Sequence, residues 1–169
     1  MLADWFTGIS ELIARAPGVT TRLNEPTPEA VIAHRIHLDF ADNAGASVAP
    51  KRPFFVLQEG RFVFEKYNTD DMDANGVVEV FFTDTARNRT NHKQSKLDFC
   101  EFVGGLIKSI ADRQGRAIDD QETRAYLSLY RIRLIQPPTR APQLEIDVAD
   151  SSTDYWWCSF ACYIGEVPE

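Results

Sequence analysis

The sequence predicts a single α+β domain over residues 1–169, with a mainly antiparallel sheet covered by an N-terminal helix and one long middle helix. The 169 residues suffice for one domain, and 44% of them are hydrophobic, which is typical of a packed globule. Segments with helical periodicity occur beside segments that alternate residue by residue. The alternating segments follow one another in runs, an order that favours antiparallel pairing over a βαβ fold.

The first predicted element is an amphipathic helix at the start of the chain. Its apolar residues recur at helical spacing: Leu2, Trp5, Phe6, Ile9, Leu12 and Ile13. Pro17 and Gly18 end this helix. Residues 20–29 are rich in turn formers, and residues 31–40 then alternate between apolar and polar, which predicts a half-buried strand.

The middle of the chain predicts three further strands. Residues 54–58 and 61–67 alternate as two short strands separated by a Glu-Gly pair, and residues 77–83 form the next. Asn75-Gly76 lies just before this third strand. The dipeptide predicts a two-residue hairpin turn, because both residues tolerate positive φ.

The second half predicts a long helix followed by strands. Ser95 is the expected N-cap, with Asp98 three positions on. The helix has an apolar stripe formed by Leu97, Cys100, Val103, Leu106, Ile107 and Ile110. Gly104-Gly105 lowers helix propensity and predicts the close approach of another backbone. Residues 126–135 and 155–164 alternate as strands, and the second has apolar residues on both faces, as expected of a central or interface strand.

Residues 71–76 match half of a calcium-binding loop. Four residues fit the first half of an EF-hand loop, namely Asp71, Asp73, Asn75 and Gly76. The twelfth position holds Phe82 instead of a bidentate acid, and the flanking segments alternate like strands. A hairpin loop closed by Glu79 would still coordinate calcium, so a calcium-dependent β-rich binding module is the alternative function. The simpler interpretation is a hairpin turn whose acids keep the tip solvated.

No complete signature of catalysis or of a metal site occurs in the sequence. It contains neither a nucleophile elbow nor a glycine-rich phosphate loop, so we expect no enzymatic activity and no cofactor. The three cysteines match no zinc-knuckle spacing. His34 and His37 fall on opposite faces of their predicted strand, and Cys158 and Cys162 lie about 13 Å apart along theirs. We therefore expect reduced packing thiols and no metal site.

The net charge and one basic run limit the kinds of partner. Eighteen basic and 25 acidic residues give a net charge of −7, which argues against general coating of nucleic acid. No apolar run approaches the ~20 residues of a membrane span. A basic run lies between Asp84 and Asp98 and comprises Arg87, Arg89, His92, Lys93 and Lys96. It predicts either a solvated loop or a surface for an acidic protein partner, because no aromatic residue is present to stack on bases.

The order of elements and the closing segment STDYWWCSFACYIGEV (residues 152–167) resemble those of phage tail terminator and tail-completion proteins. The resemblance covers nearly the whole chain. It implies a structural virion protein of the tail or neck, made in the host cytoplasm, that forms a ring, commonly hexameric. The ring would cap the tail tube protein and join it to the connector or neck protein of the head. Residues 113–122 are longer and more charged than a minimal member of that family needs.

This resemblance also gives expected roles to individual residues. Six residues are expected at contacts with other subunits or neighbouring proteins: Tyr155, Trp156, Trp157, Arg87, Arg89 and Lys93. Three acids are expected to line or flank a lumen through which DNA passes without sticking: Asp70, Asp71 and Asp73. The loops at 41–52 and 85–94 would reach the neighbouring rings.

Overall fold

The computed structural model of the chain describes residues 2–38, 51–66, 72–86, 91–112, 132–136, 143–146 and 154–166. Within these residues the helices are α1 (Leu2–Ala14), α2 (Val19–Leu23), α3 (Pro28–Arg35) and α4 (His92–Asp112). The strands are β1 (Ile36–Leu38), β2 (Phe54–Lys66), β3 (Met72–Thr85), β4 (Ile132–Gln136), β5 (Gln143–Ile146) and β6 (Asp154–Glu166).

The strands form one mixed sheet in the order β1-β2-β3-β6-β4, with β5 also paired to β6. β1 runs parallel to β2, and the other pairs are antiparallel. The prediction of an α+β fold with a mainly antiparallel sheet is therefore confirmed. The predicted central position of the last strand is also confirmed, because β6 pairs with β3 on one side and with β4 and β5 on the other.

The helices pack against one face of this sheet, which we call the inner sheet face. Its buried side chains are Phe55, Leu57, Val78, Val80, Phe82, Trp156, Cys158, Phe160 and Cys162. Residues of all four helices join them in one core. At its centre, the Phe82 ring lies 4.5 Å from that of Phe55 and 5.5 Å from that of Phe99 on α4, measured between ring centroids. Burial of each such ring stabilises the fold by roughly 2–3 kcal/mol.

The segment before β1 is helical where the sequence predicts a strand. The hydroxyl oxygen of Thr27 accepts a hydrogen bond from the Ala30 amide at 3.2 Å, and Pro28 occupies the first turn of α3. These are strong helix-start signals, because both satisfy or remove unpaired amides. The prediction of a strand over residues 31–40 is therefore wrong before Ile36. Residues 39 and 40 lie outside the described residues.

β2 and β3 form a long pair with one irregularity at Gly60. The two predicted short strands are one continuous β2, whose register with β3 shifts between Glu59 and Phe62. Asn75 and Gly76 lie inside β3 and pair with Val63 and Phe62. The prediction of a hairpin turn at Asn75-Gly76 is therefore wrong, and residues 67–71, which join the two strands, lie outside the described residues.

α4 begins one turn earlier than the sequence predicts. The side-chain oxygen of Asn91 accepts a hydrogen bond from the Gln94 amide at 3.1 Å, so Asn91 rather than Ser95 caps the helix. The predicted stripe is confirmed for Val103, Leu106 and Ile110, which are buried, but Leu97 is 53% exposed. Among the described residues, nothing lies within 4 Å of a Cβ added at Gly104 or Gly105, so the close approach predicted there has no counterpart in the described part of the chain.

Candidate functional site

The face of the sheet opposite the core has a partly exposed aromatic surface, which we call the outer sheet face. The strand register places Phe54, Thr83 and Trp157 in one row across β2, β3 and β6. A cavity of ≈310 Å³, here termed the outer groove, opens on this face. Its lining includes Arg52, Phe54, Phe81, Thr83, Tyr155 and Trp157. Each of these six side chains is half-buried.

Arg52 is held in the outer groove by contacts with Tyr155 and Thr83. Its Cζ lies 3.8 Å from the centroid of the Tyr155 ring, a cation–π contact. Its Nε donates a hydrogen bond to the Thr83 hydroxyl at 3.1 Å, and that hydroxyl donates to the Trp156 carbonyl at 3.0 Å. The groove therefore has a positioned positive charge beside an aromatic wall, and Arg52 is the one charged side chain among its described lining residues.

Trp157 adds an unsatisfied donor to the same surface. Its Nε1 is buried and has no hydrogen-bond partner among the described residues. A buried N–H without an acceptor costs about 1–3 kcal/mol. An aromatic wall and a fixed arginine are typical of protein contact sites.

Trp156 faces the opposite way and belongs to the core. The residue is 3% exposed, and its Nε1 donates a hydrogen bond to the Ser95 hydroxyl at 2.9 Å. Its ring lies 6.2 Å from that of Phe99. The expectation that Trp156 contributes to an interface is therefore corrected, whereas Tyr155 and Trp157 lie together in the outer groove.

The predicted basic surface lies apart from the groove where it is described. Lys93 is exposed in the first turn of α4, on the helical side of the sheet. Arg87 and Arg89 lie outside the described residues, as do Asp70 and Asp71. Of the three predicted lumen acids, only Asp73 belongs to a described element, where it pairs with Glu65 in the β2–β3 ladder.

The candidate calcium ligands are spread along an extended strand. Asp73, Asn75 and Glu79 all lie on β3, and Asp71 lies outside the described residues. Asp73 and Glu79 are six positions apart, which corresponds to about 20 Å of strand, so they cannot bind one ion. Among the residues that the structure describes, no group of three or more His, Cys, Asp or Glu side chains is placed to hold a metal ion.

Arg22 forms a polar cluster that sequence reasoning missed. Its Nε lies 2.7 Å from a carboxylate oxygen of Asp84, and its Nη1 lies 2.7 Å from one of Asp98. Asp84 is 1% exposed and Asp98 is 49% exposed. The signal for this cluster is Asp84 itself, because an acid at an inward position of an alternating strand requires a buried partner. The cluster joins α2, β3 and α4, a structural role.

The ionisable groups near the helices are likewise structural. The hydrogen bond from Arg35 holds the pKa of Glu25 below its usual value of 4.5, and His34 adds a second contact with its Nδ1 3.3 Å from Glu25. Burial raises the pKa values of the Cys158 and Cys162 thiols to about 12. Both thiols are free and buried, as the sequence predicts for packing cysteines.

Comparison of the chain with models of known protein families finds no match, and comparison with curated protein sequences finds no significant one. Within the described parts of the chain, none of the helices combines the length and the apolar character required to span a bilayer.

Proposed function

We propose that this chain is a structural subunit of a phage tail or neck, of the tail terminator type, which assembles into a ring. Such a ring would cap the tail tube and join it to the head connector. The observation that supports self-assembly is the outer groove, where Tyr155 and Trp157 remain partly exposed beside Arg52. Large aromatic side chains and arginine at a concave surface are the residues that contribute most to binding energy at protein interfaces.

The order of elements supports the same proposal. An N-terminal amphipathic helix is followed by the long β2–β3 pair, the long helix α4 and the closing strand β6. This is the order on which the resemblance to tail terminator proteins rests.

The oligomeric state of the purified chain tests this proposal. Light scattering coupled to size exclusion should give a multimer, either for the chain alone or after addition of isolated tail tubes or head connectors. Trp157→Ala should weaken assembly at least about tenfold, because it removes an aromatic anchor. Leu38→Ala is the matched control, since Leu38 is 47% exposed but lies at the end of the edge strand β1.

Melting temperatures of both variants separate loss of assembly from loss of folding. If the wild-type chain stays monomeric alone and with tubes and connectors, the proposed function is wrong. If Trp157→Ala and Leu38→Ala assemble as well as the wild type, the outer groove does not form the subunit contact.

A further inference from the structure

The long strand β2 extends far beyond the short strand that pairs with it at the margin of the sheet. β1 is three residues long and pairs only with residues 55–57 of β2. Along residues 58–66, which we call the β2 edge, no strand of the described chain pairs on the side away from β3. Glu59 at the start of this edge is exposed. Such an edge offers backbone N–H and C=O groups with which another strand can pair.

We propose that the β2 edge pairs with the β2 edge of a second copy of the chain, antiparallel and centred on Val63. The contact joins the two sheets into one continuous sheet. It goes beyond the proposed function, because it is a two-fold contact between like surfaces, whereas a ring is built from contacts between unlike surfaces.

The charges of the β2 edge are self-complementary in the antiparallel direction. Residues 61–65 read Arg-Phe-Val-Phe-Glu, with opposite charges at the two ends. In the pair centred on Val63, Arg61 of each copy lies opposite Glu65 of the other. A parallel pair in register would place each of these charges opposite its own kind. Opposite charges across two strands are stabilising and like charges are destabilising, so the antiparallel direction is favoured.

The apolar residues between these charges match in the same pairing. Phe62 of each copy lies opposite Phe64 of the other, and Val63 lies opposite itself. Aromatic and β-branched residues favour extended strands, and aromatic pairs across two strands are stabilising. The charged and apolar residues of the edge therefore favour the same centre.

The two faces of the sheet restrict the possible centres. Successive residues of a strand alternate between the faces, so the inner sheet faces of two copies lie on the same side only if the pairing is centred on a residue. Within the β2 edge, two such centres place opposite charges in register. Val63 pairs Arg61 with Glu65, and Gly60 pairs Glu59 with Arg61.

A bulge in β2 excludes the second of these centres. Glu59 pairs with Val78 and Phe62 pairs with Gly76, so two residues of β2 stand where β3 has one. A bulge bends its strand and interrupts regular pairing, and a contact centred on Gly60 would cross it. From Phe62 to Lys66 the pairing of β2 with β3 is regular, and Val63 lies within this part.

Exchange of the two charges tests the pairing. Arg61→Glu and Glu65→Arg are made singly and together in a Trp157→Ala background, which removes the groove contact of the proposed ring. Each single variant should dimerise about tenfold more weakly, because like charges then meet at both crossings. The double variant should dimerise as strongly as its background. Sedimentation equilibrium measures the dimer, and melting temperatures show that each variant is folded.

A mixture of the two single variants is the most specific form of this test. One variant is then acidic at both positions and the other is basic at both, so a mixed dimer has opposite charges at each crossing. The equimolar mixture should therefore recover the dimer that neither variant forms well alone. A charge effect on folding alone would not be rescued by mixing.

Disulfide trapping locates the centre of the contact. Val63→Cys is made in a Cys100→Ser background, and oxidised glutathione should convert it into a covalent dimer and no larger species, because the two thiols lie opposite each other. Glu59→Cys in the same background is the control. Its two thiols are separated by about 25 Å of strand in the proposed dimer, so it should stay uncrosslinked.

The outcomes distinguish this inference from the proposed function. A dimer that tolerates both single charge changes, or equal trapping of Glu59→Cys and Val63→Cys, would overturn the pairing. A Val63→Cys variant that is not trapped would also overturn it, since another segment or another protein then covers the edge. A ring that forms without the dimer would leave the proposed function intact. A trapped dimer that forms nothing larger with tubes and connectors would support the pairing and overturn the ring.

Discussion

At the scale of single residues, Arg22 joins three elements through one side chain. Its guanidinium contacts Asp84 on β3 and Asp98 on α4, and its Cζ lies 5.0 Å from the centroid of the Phe102 ring. The two carboxylates differ in burial, because Asp84 is 1% exposed and Asp98 is 49% exposed. A buried carboxylate depends on its partner far more than an exposed one, since water screens the exposed charge.

Removal of the guanidinium should therefore be much more damaging than removal of the exposed carboxylate. Arg22→Met should lower the free energy of unfolding by about 3 kcal/mol, because the buried Asp84 carboxylate then loses its contact with the Arg22 guanidinium. Asp98→Asn is the matched control and should lower it by less than about 1 kcal/mol. Urea unfolding of both variants measures the difference, and equal losses would contradict this account of the cluster.

Also at the scale of residues, Ser95 has a side chain suited to the predicted N-cap, but in the fold it serves as the hydrogen-bond acceptor of Trp156. Ser95 has the polar hydroxyl of an N-cap, but it lies inside α4 and is 5% exposed. Its oxygen accepts the hydrogen bond of the Trp156 indole, 61 residues further along the chain. A buried indole N–H requires an acceptor, and only the tertiary fold determines which residue supplies it.

At the scale of elements, Gly60 on β2 and the pair Gly104-Gly105 on α4 differ in the space around them. Gly60 lies at the register shift of β2, and a Cβ there would lie 3.0 Å from both the Cβ and the carbonyl oxygen of Val77. Gly104 and Gly105 lie in α4 and are exposed, and among the described residues neither has a neighbour that a Cβ would meet within 4 Å. The first position requires glycine for space, whereas the helical positions do not.

Alanine substitution should separate these two situations. Gly60→Ala should destabilise the chain by about 1–3 kcal/mol, because the Val77 backbone must shift to accommodate the methyl group. Gly105→Ala should stabilise it by up to about 1 kcal/mol through helix propensity alone. Thermal unfolding of the two variants measures both effects. A destabilising Gly105→Ala would show that another part of the chain or a second copy contacts the helix there.

The elements that the sequence predicted well are those with long, uninterrupted hydrophobic periods. α1 and β6 agree with their predictions because apolar residues recur at the period of each element along its sequence. Residues 28–35 do not agree with their prediction. Their alternation of apolar and polar residues also fits a short helix, and the helix cap at Thr27 precedes that alternation. The alternation of β6 places Trp156 on the inner sheet face and Tyr155 and Trp157 on the outer one, although all three were expected at subunit contacts. Which face of the sheet becomes the core depends on how the helices pack. The position of Arg52 over Tyr155 depends on strand pairing across about a hundred residues of sequence, and no local pattern encodes such a contact.

At the scale of the whole molecule, the three thiols report on the integrity of the helix–sheet core. Cys158 and Cys162 lie on the inner sheet face, 1% and 0% exposed, beneath the helices. Cys100 is half-buried on α4. The thiolate is the reactive form, and burial raises the pKa values of Cys158 and Cys162 to about 12, so access and ionisation both protect these two residues.

The folded chain should therefore react with a maleimide at one thiol, whereas the chain in denaturant should react at three. Intact-mass measurement at pH 8 gives the number of labels, and Cys100→Ser should remove the single native label. Slow labelling of Cys158 and Cys162 at one common rate would mean that the sheet and helices open in one cooperative step. Fast labelling of either residue in the native chain would contradict a core in which the helices stay packed on the sheet. Because the outer groove lies on the opposite face, assembly through it should leave the protection of Cys158 and Cys162 in place, so the same experiment on the multimer separates subunit contact from unfolding.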